Sequence, residues 1–338
     1  MNSDKKYEFN WPFFGNRHII DFLQSGISND SLAHFYIFSG PQNLGKSTLA
    51  NFFARSILCE NLKAKRGKLP CGECINCRQK KHSDITIITK EADKKNISIE
   101  QIRGFIKMMN LGSFGNSYKI GIIKQAESLN IEAANALLKT LEEPKEKVII
   151  ILLTSFLDKL PLTIKSRGQT LLFQPVGHTS IYDYLIKEHK VSRDFALNLS
   201  KISAGRPALA VKLFQEENFL EQRKKIVQSL VSIIKGNLNT KFSEVEELFK
   251  GGKSSQETRE DAELILEVWR TIIRDLMMMQ LGLKEFVINE NIASNLEDLN
   301  LNRENLIILN NNIKQGKKYL AANVNAKLIL ENISLNIT

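Results

Sequence analysis

The chain has 338 residues, 43% of them hydrophobic and 25% charged, which fits a globular protein of two or three domains at ~100–200 residues each. No apolar run approaches the ~20 residues a membrane span needs, and the first fourteen residues lack a signal peptide's apolar core and cleavage site. The cytoplasm is therefore expected, while the net charge of +10 favours polyanions such as nucleotide or nucleic acid as partners.

Through the first half, short β-branched and aromatic runs alternate with longer amphipathic patterns, as in a parallel α/β sheet. The first strand is predicted at Phe35–Ser39 and the first clear helix at Ser47–Leu58. Between them, Gly40-Pro41-Gln42-Asn43-Leu44-Gly45-Lys46-Ser47 fits G-x-x-x-x-G-K-[ST]. Gly40 and Gly45 let the backbone curl tightly, so that its N–H groups point at phosphate oxygens. Lys46 reaches the terminal phosphates, Ser47 ligates Mg²⁺, and Thr48 completes the run. The helix N-terminus adds its partial positive charge, so ATP with Mg²⁺ is the expected ligand. The other reading is a loop that keeps this shape and binds nothing.

All four cysteines follow within nineteen residues, Cys59, Cys71, Cys74 and Cys77. In a chain expected in the cytoplasm this spacing reads as a metal site, not a disulfide framework. Four thiolates suit tetrahedral Zn²⁺ in a structural site with no open position. An iron–sulfur cluster is the weaker alternative, and His82 is a possible substitute ligand. Leu69-Pro70 and Gly72 supply turn chemistry for the knuckle. Around the cysteines, Lys63, Lys65, Arg66, Lys68, Arg78, Lys80 and Lys81 face a single acid, Glu73. This run reads as a solvated surface loop or as a contact to a phosphate backbone. The second reading raises a zinc-dependent nucleic-acid-binding module as an alternative function.

Further strands are predicted at Ile85–Ile88, Ile120–Ile123, Val148–Leu153 and Thr170–Phe173, with helices over Ile99–Met109 and Ile131–Leu141. Asn130 is the N-cap expected for the last helix, and Pro144 ends it. A phosphate-loop ATPase needs a carboxylate after a neighbouring strand to hold magnesium, and an adjacent acid to polarise water. That strand ends here in Lys124-Gln125-Ala126-Glu127, with an ammonium and an amide where the acids belong. Glu127 lies two and three residues beyond those positions and, by spacing, should not replace them. Nucleotide binding with little or no hydrolysis is expected. Beyond Pro175 strand-like runs become rare, and from about Asn218 apolar residues recur at helical spacing. The Gly251–Ser255 stretch reads as an interrupting loop.

These pieces together resemble the bacterial DNA polymerase III clamp-loader family, its delta-prime and gamma/tau subunits. The resemblance runs from His34–Pro41 through the phosphate loop and the cysteines to His82-Ser83-Asp84. It continues through Asn135-Ala136-Leu137-Leu138-Lys139-Thr140-Leu141-Glu142-Glu143-Pro144 and Thr163-Ile164-Lys165-Ser166-Arg167. It is fainter at Trp269, Arg274-Asp275 and Asn323-Val324-Asn325. It implies an α/β P-loop core of the AAA+ class over residues 1–175, with a zinc-binding insert at about 59–81. A small helical lid at 176–214 and an all-α collar at 215–338 follow.

The resemblance also implies that Arg167 acts in trans as an arginine finger toward a neighbour's nucleotide. Thr154 falls at the first sensor position and Arg206 near the second. Gly168 stands where the family usually has Cys and is expected to loosen the turn without disabling the guanidinium. The implied partners are gamma/tau and delta in a hetero-pentameric ring, with the sliding clamp and primer-template DNA reached through the complex. Loss of the acidic pair, and an end soon after the collar, match delta-prime without independent ATPase activity. An active gamma/tau-type ATPase is the alternative.

Overall fold

The computed structural model describes residues 7–64, 67–79, 82–91, 94, 96–111, 113, 118–250, 255–289, 301–322 and 324–337. Lys65, Arg66, Lys80 and Lys81 of the basic run, the loop at 251–254, and Asn323 lie outside these residues. Residues 1–189 and 205–209 form one compact unit, and residues 190–204 and 210–338 form another.

The first unit is built on strands β1 (Tyr7–Phe9), β2 (Phe35–Ser39), β3 (Gly67–Leu69), β4 (Ile85–Ile88), β5 (Lys119–Ile123), β6 (Val148–Thr154) and β7 (Gln169–Leu172). Five of them form one all-parallel sheet in the order β4-β5-β6-β2-β7. Both faces are covered, so the central strands are almost continuously apolar, with side chains that still alternate in direction. Tyr36, Phe38, Ile149, Ile151 and Leu153 pack toward the helices Arg17–Ser28 and Lys46–Leu58. Phe35, Ile37, Ile150 and Leu152 pack with residues of Ile99–Asn110 and Ile131–Glu142. Every strand predicted for this sheet is present, two with the predicted ends and three with ends shifted by one residue.

Local signals explain the helix ends. Ser98 and Gln101 form a reciprocal capping box at the start of Ile99–Asn110. The Asn130 side chain accepts from Ala133 N–H at 2.8 Å, and the helix it caps stops at Glu143, just before Pro144. Because the sheet is parallel, the segments leaving β2, β5, β6 and β7 emerge along one edge, where such sheets bind ligands. Ser39 is in register with Thr154, and Ile123 with Leu152, which brings the ends of β2, β6 and β5 side by side.

Two features go beyond the sequence reading. A separate two-stranded parallel ribbon pairs Tyr7–Phe9 with Gly67–Leu69. Gly168, expected only to loosen its turn, also stands where a Cβ would lie 2.7 Å from the Phe35 ring and 2.9 Å from Ile37 Cγ1, so glycine permits a close approach.

The second unit is helical among the described residues. Its core is shared by the helices Glu217–Lys235, Leu238–Leu248, Ser255–Gln280, Arg303–Ala321 and Ala326–Leu335, with Trp269 fully buried. Ser255, expected in the interrupting loop, opens a helix. Asp275 is fully buried and accepts from Ile288 N–H, Asn289 N–H and the Asn289 side-chain amide, tying the stretch after Gln280 back to its helix. No helix among the described residues is long and apolar enough to cross a membrane.

Candidate functional site

The phosphate loop leaves β2 at Gly40, whose φ of 148° only glycine adopts freely. A Cβ there would sit 2.4 Å from the Phe173 carbonyl oxygen. Gly45, at φ 88°, carries the edge of Phe13, whose Cε2 lies 2.5 Å from where a Cβ would stand. Gly40 N–H donates to Thr154 O at 3.3 Å, anchoring the loop to the end of β6. Lys46 is buried, and its ammonium donates to the carbonyls of Gly40 and Pro41. Two of its three donors are thus held by the loop itself, leaving one for a phosphate oxygen. Burial lowers its pKa to about 8, and Glu127 acts in the opposite sense. Ser47 is half-buried in the first turn of the helix and Thr48 is exposed beside it.

Across the edge from this loop, the turn after β5 sends its side chains two ways. Gln125, at φ 53°, accepts from the Thr89 hydroxyl at 3.1 Å, on the β4 side. Lys124 is half-buried, and its N–H bonds to Ile88 O at 2.9 Å. Glu127, in the short 3-10 helix Ala126–Ser128, accepts from Ser155 N–H at 3.3 Å, on the β6 side. Thr154 is buried, and its hydroxyl accepts from Phe156 N–H at 3.1 Å, a turn-capping role. Arg206 follows Gly205, whose carbonyl accepts from Val176 N–H. Ala208 N–H donates to Asn43 O at 3.1 Å, so the Arg206 segment reaches the phosphate loop.

The four cysteines converge. One sulfur from each of Cys59, Cys71, Cys74 and Cys77 lies within 4.8 Å of all the others. A tetrahedron with Zn–S bonds of ~2.3 Å has sulfurs about 3.8 Å apart, so a small inward adjustment suits that ion. N–H groups already point at the sulfurs: Cys71 N–H at Cys59 Sγ (3.4 Å), and Glu73 and Cys74 N–H at Cys71 Sγ (3.4 and 3.3 Å). Burial raises the Cys71 thiol, but the N–H groups of Cys74 and Glu73 outweigh it and bring the pKa to about 7. Burial raises those of Cys59 and Cys77. The cluster is seated on the core. Cys59 directly follows Leu58, the last residue of its helix, Asn76 bonds to Leu58 O at 2.9 Å, and Arg55 reaches the carbonyls of Cys77 and Gln79. His82 stands apart as a structural residue, its Nδ1 accepting from Asp84 N–H at 3.0 Å.

Arg167 precedes β7, whose first residue Gln169 is in register with Tyr36 near the start of β2, at the end of the sheet away from the phosphate loop. Its guanidinium pairs with Glu142 and donates to Thr163 O at 2.6 Å. With 32% of the side chain exposed, it borders an open surface depression with Leu162, Thr163, Lys165 and Ser166. Phe13, Glu127 and Glu142 are the site neighbours that spacing did not single out; each is brought in by tertiary contact.

A family model described as "DNA polymerase III, delta subunit" matches residues 15–177. The DNA polymerase III subunit delta' of Bacillus subtilis is 29% identical over 325 residues, 94% of this chain and 94% of that protein. The delta' subunit of Pseudomonas aeruginosa is 30% identical over 60% of this chain and 62% of its own length. The tau subunit of B. subtilis reaches 35% identity, but over 49% of this chain and 29% of its own length. The chain is thus similar to DNA polymerase III clamp-loader subunits, nearly end to end to a delta' subunit and over about half its length to tau.

Proposed function

We propose that the chain works as a delta-prime-like subunit of a bacterial clamp loader in the cytoplasm, helping to place the sliding clamp on primer-template DNA. It occupies one position of a hetero-pentameric ring with gamma/tau and delta subunits. Residues 1–175 serve as the AAA+ core, 176–214 as the lid and 215–338 as the collar. Cys59, Cys71, Cys74 and Cys77 hold one Zn²⁺ as a structural staple. Gly40, Gly45, Lys46, Ser47 and Thr48 cradle a nucleotide that is not appreciably hydrolysed, with Thr154 and Arg206 at its rim. Arg167 is presented to a neighbour.

The observation that carries this reading is an ordered phosphate loop beside Lys124-Gln125. The loop anchors its own lysine through two carbonyls, yet no acid follows β5 at the two positions where metal and water are handled. Phosphate release by the isolated chain should stay at background, while calorimetry with ATP should show binding that Lys46→Ala weakens. Robust Lys46-dependent turnover by the chain alone would establish the gamma/tau-type motor instead.

The same lysine predicts a pH dependence. Only the ammonium form attracts phosphate, and in the free chain it is lost above about 8. Affinity for ATP should therefore be full near neutrality and fall as pH rises through about 8, by up to about tenfold per unit. A profile flat to pH 10, the range of an ordinary lysine, would show that Lys46 is not the phosphate-binding group.

A further inference from the structure

Spacing alone sets Glu127 aside, because it stands beyond the positions of the missing acids. The fold changes its standing. The left-handed turn at Gln125 directs that residue's amide to Thr89, over β4. Two residues on, Glu127 emerges over β6, where its carboxylate accepts from Ser155 N–H. Since β6 lies between β5 and β2, this is the side on which the phosphate loop stands. Thr154, the residue before Ser155, is in register with Ser39 and accepts the N–H of Gly40, the first residue of the loop. The Ser155 bond uses one carboxylate oxygen and leaves lone pairs for water.

Resting on the reading that the loop binds nucleotide, we propose that Glu127 is the carboxylate that holds a magnesium–nucleotide in this chain, through water, in place of the acidic pair. The donor set suits the ion. Mg²⁺ keeps several waters and takes one or two carboxylates alongside substrate phosphates, and Ser47 supplies the loop hydroxyl. Glu127 is half-buried and is among the charges that Lys46 feels, so it lies within electrostatic reach of the cradle. Acting through water, Glu127 is itself an outer-shell partner, of the kind whose removal costs ~10–100-fold in metal affinity, and its bond to Ser155 holds it in place. A carboxylate at this point also has a sign that exposes its role. Without magnesium it repels the nucleotide's phosphates; with magnesium it attracts the ion.

The experiment is ATP affinity measured by calorimetry on the full chain, in excess Mg²⁺ and in EDTA, for the parent, Glu127→Gln and Glu132→Gln, all melting alike. The parent should bind at least about tenfold more tightly with Mg²⁺. Glu127→Gln should bring that ratio to about twofold or less, by weakening the Mg²⁺ affinity while leaving the EDTA affinity unchanged or tighter. Glu132→Gln, on the first turn of the next helix, should keep the parent ratio. If Glu127→Gln keeps the parent ratio, or loses affinity equally in both buffers, Glu127 does not serve the metal and the assignment fails alone. If the parent binds no ATP in either buffer, the nucleotide reading of the loop fails and takes this assignment with it.

Discussion

Purified chain should carry one zinc, and Cys74→Ser should leave less than about a tenth of it, because a tetrahedral thiolate site loses its closed shell with any one ligand. The consequence for the fold follows from where the cluster sits. Cys59 and Cys77 are buried in the same core as Leu69, Phe53 and Trp11, and Leu69 closes the ribbon that pairs Tyr7–Phe9 with Gly67–Leu69. Metal binding contributes folding free energy directly, so chelation should release this ribbon first. Hydrogen exchange at residues 7–9 and 67–69 should rise sharply in Cys74→Ser, and the first unit should melt earlier. The second unit has a separate core around Trp269, and its exchange should not change. Metal-free chain with the parent's exchange pattern would show that the four thiols pack without an ion. Stoichiometric iron in place of zinc would move the site to the iron–sulfur alternative.

What could be read from the sequence was whatever is encoded locally. The strand–loop–helix around Gly40–Ser47 carries its own signals, a four-residue apolar run and a phosphate-loop motif, and the structure shows the strand, the loop and the helix. The cysteine spacing likewise predicted convergence, since two C-x2-C steps make a knuckle wherever the first ligand comes from. The Tyr7–Phe9 and Gly67–Leu69 ribbon was not legible. Its strands are three residues long, and their partners are about sixty residues apart, so no periodicity marks them. Gly168 was legible only in part, because a turn glycine reads as freedom, whereas here a Phe35 ring also needs the space. The placement of Glu127 was not legible, because counting along the chain cannot see a left-handed residue at Gln125 that turns two nearby side chains to opposite sides.

Arg167→Ala should abolish the trans contribution at one site of the reconstituted complex while leaving the subunit folded and assembled. Magnitudes separate this role from a local one. The pair with Glu142 is partly exposed, with 32% of the arginine side chain and 48% of the glutamate side chain open to water. Such pairs contribute ~0–1 kcal/mol, so the variant should melt within about 2–4 °C of the parent. An arginine finger is worth ~10³–10⁵ in rate at its own site in GTPases, because a planar, permanently charged fork stabilises charge on the transferring phosphoryl group. A complex with several ATP sites should lose less in total, yet clamp loading needs the affected site and should fall with it. Glu142→Gln is the control that decides. It removes the local partner and leaves the guanidinium free to turn toward a neighbour's phosphates, so turnover and clamp loading should survive. If Arg167 only braces the Thr163 turn against Glu142, the two variants should behave alike, both assembling and both turning over ATP like the parent. A large loss in Arg167→Ala with near-parent activity in Glu142→Gln would assign the guanidinium to the neighbouring nucleotide.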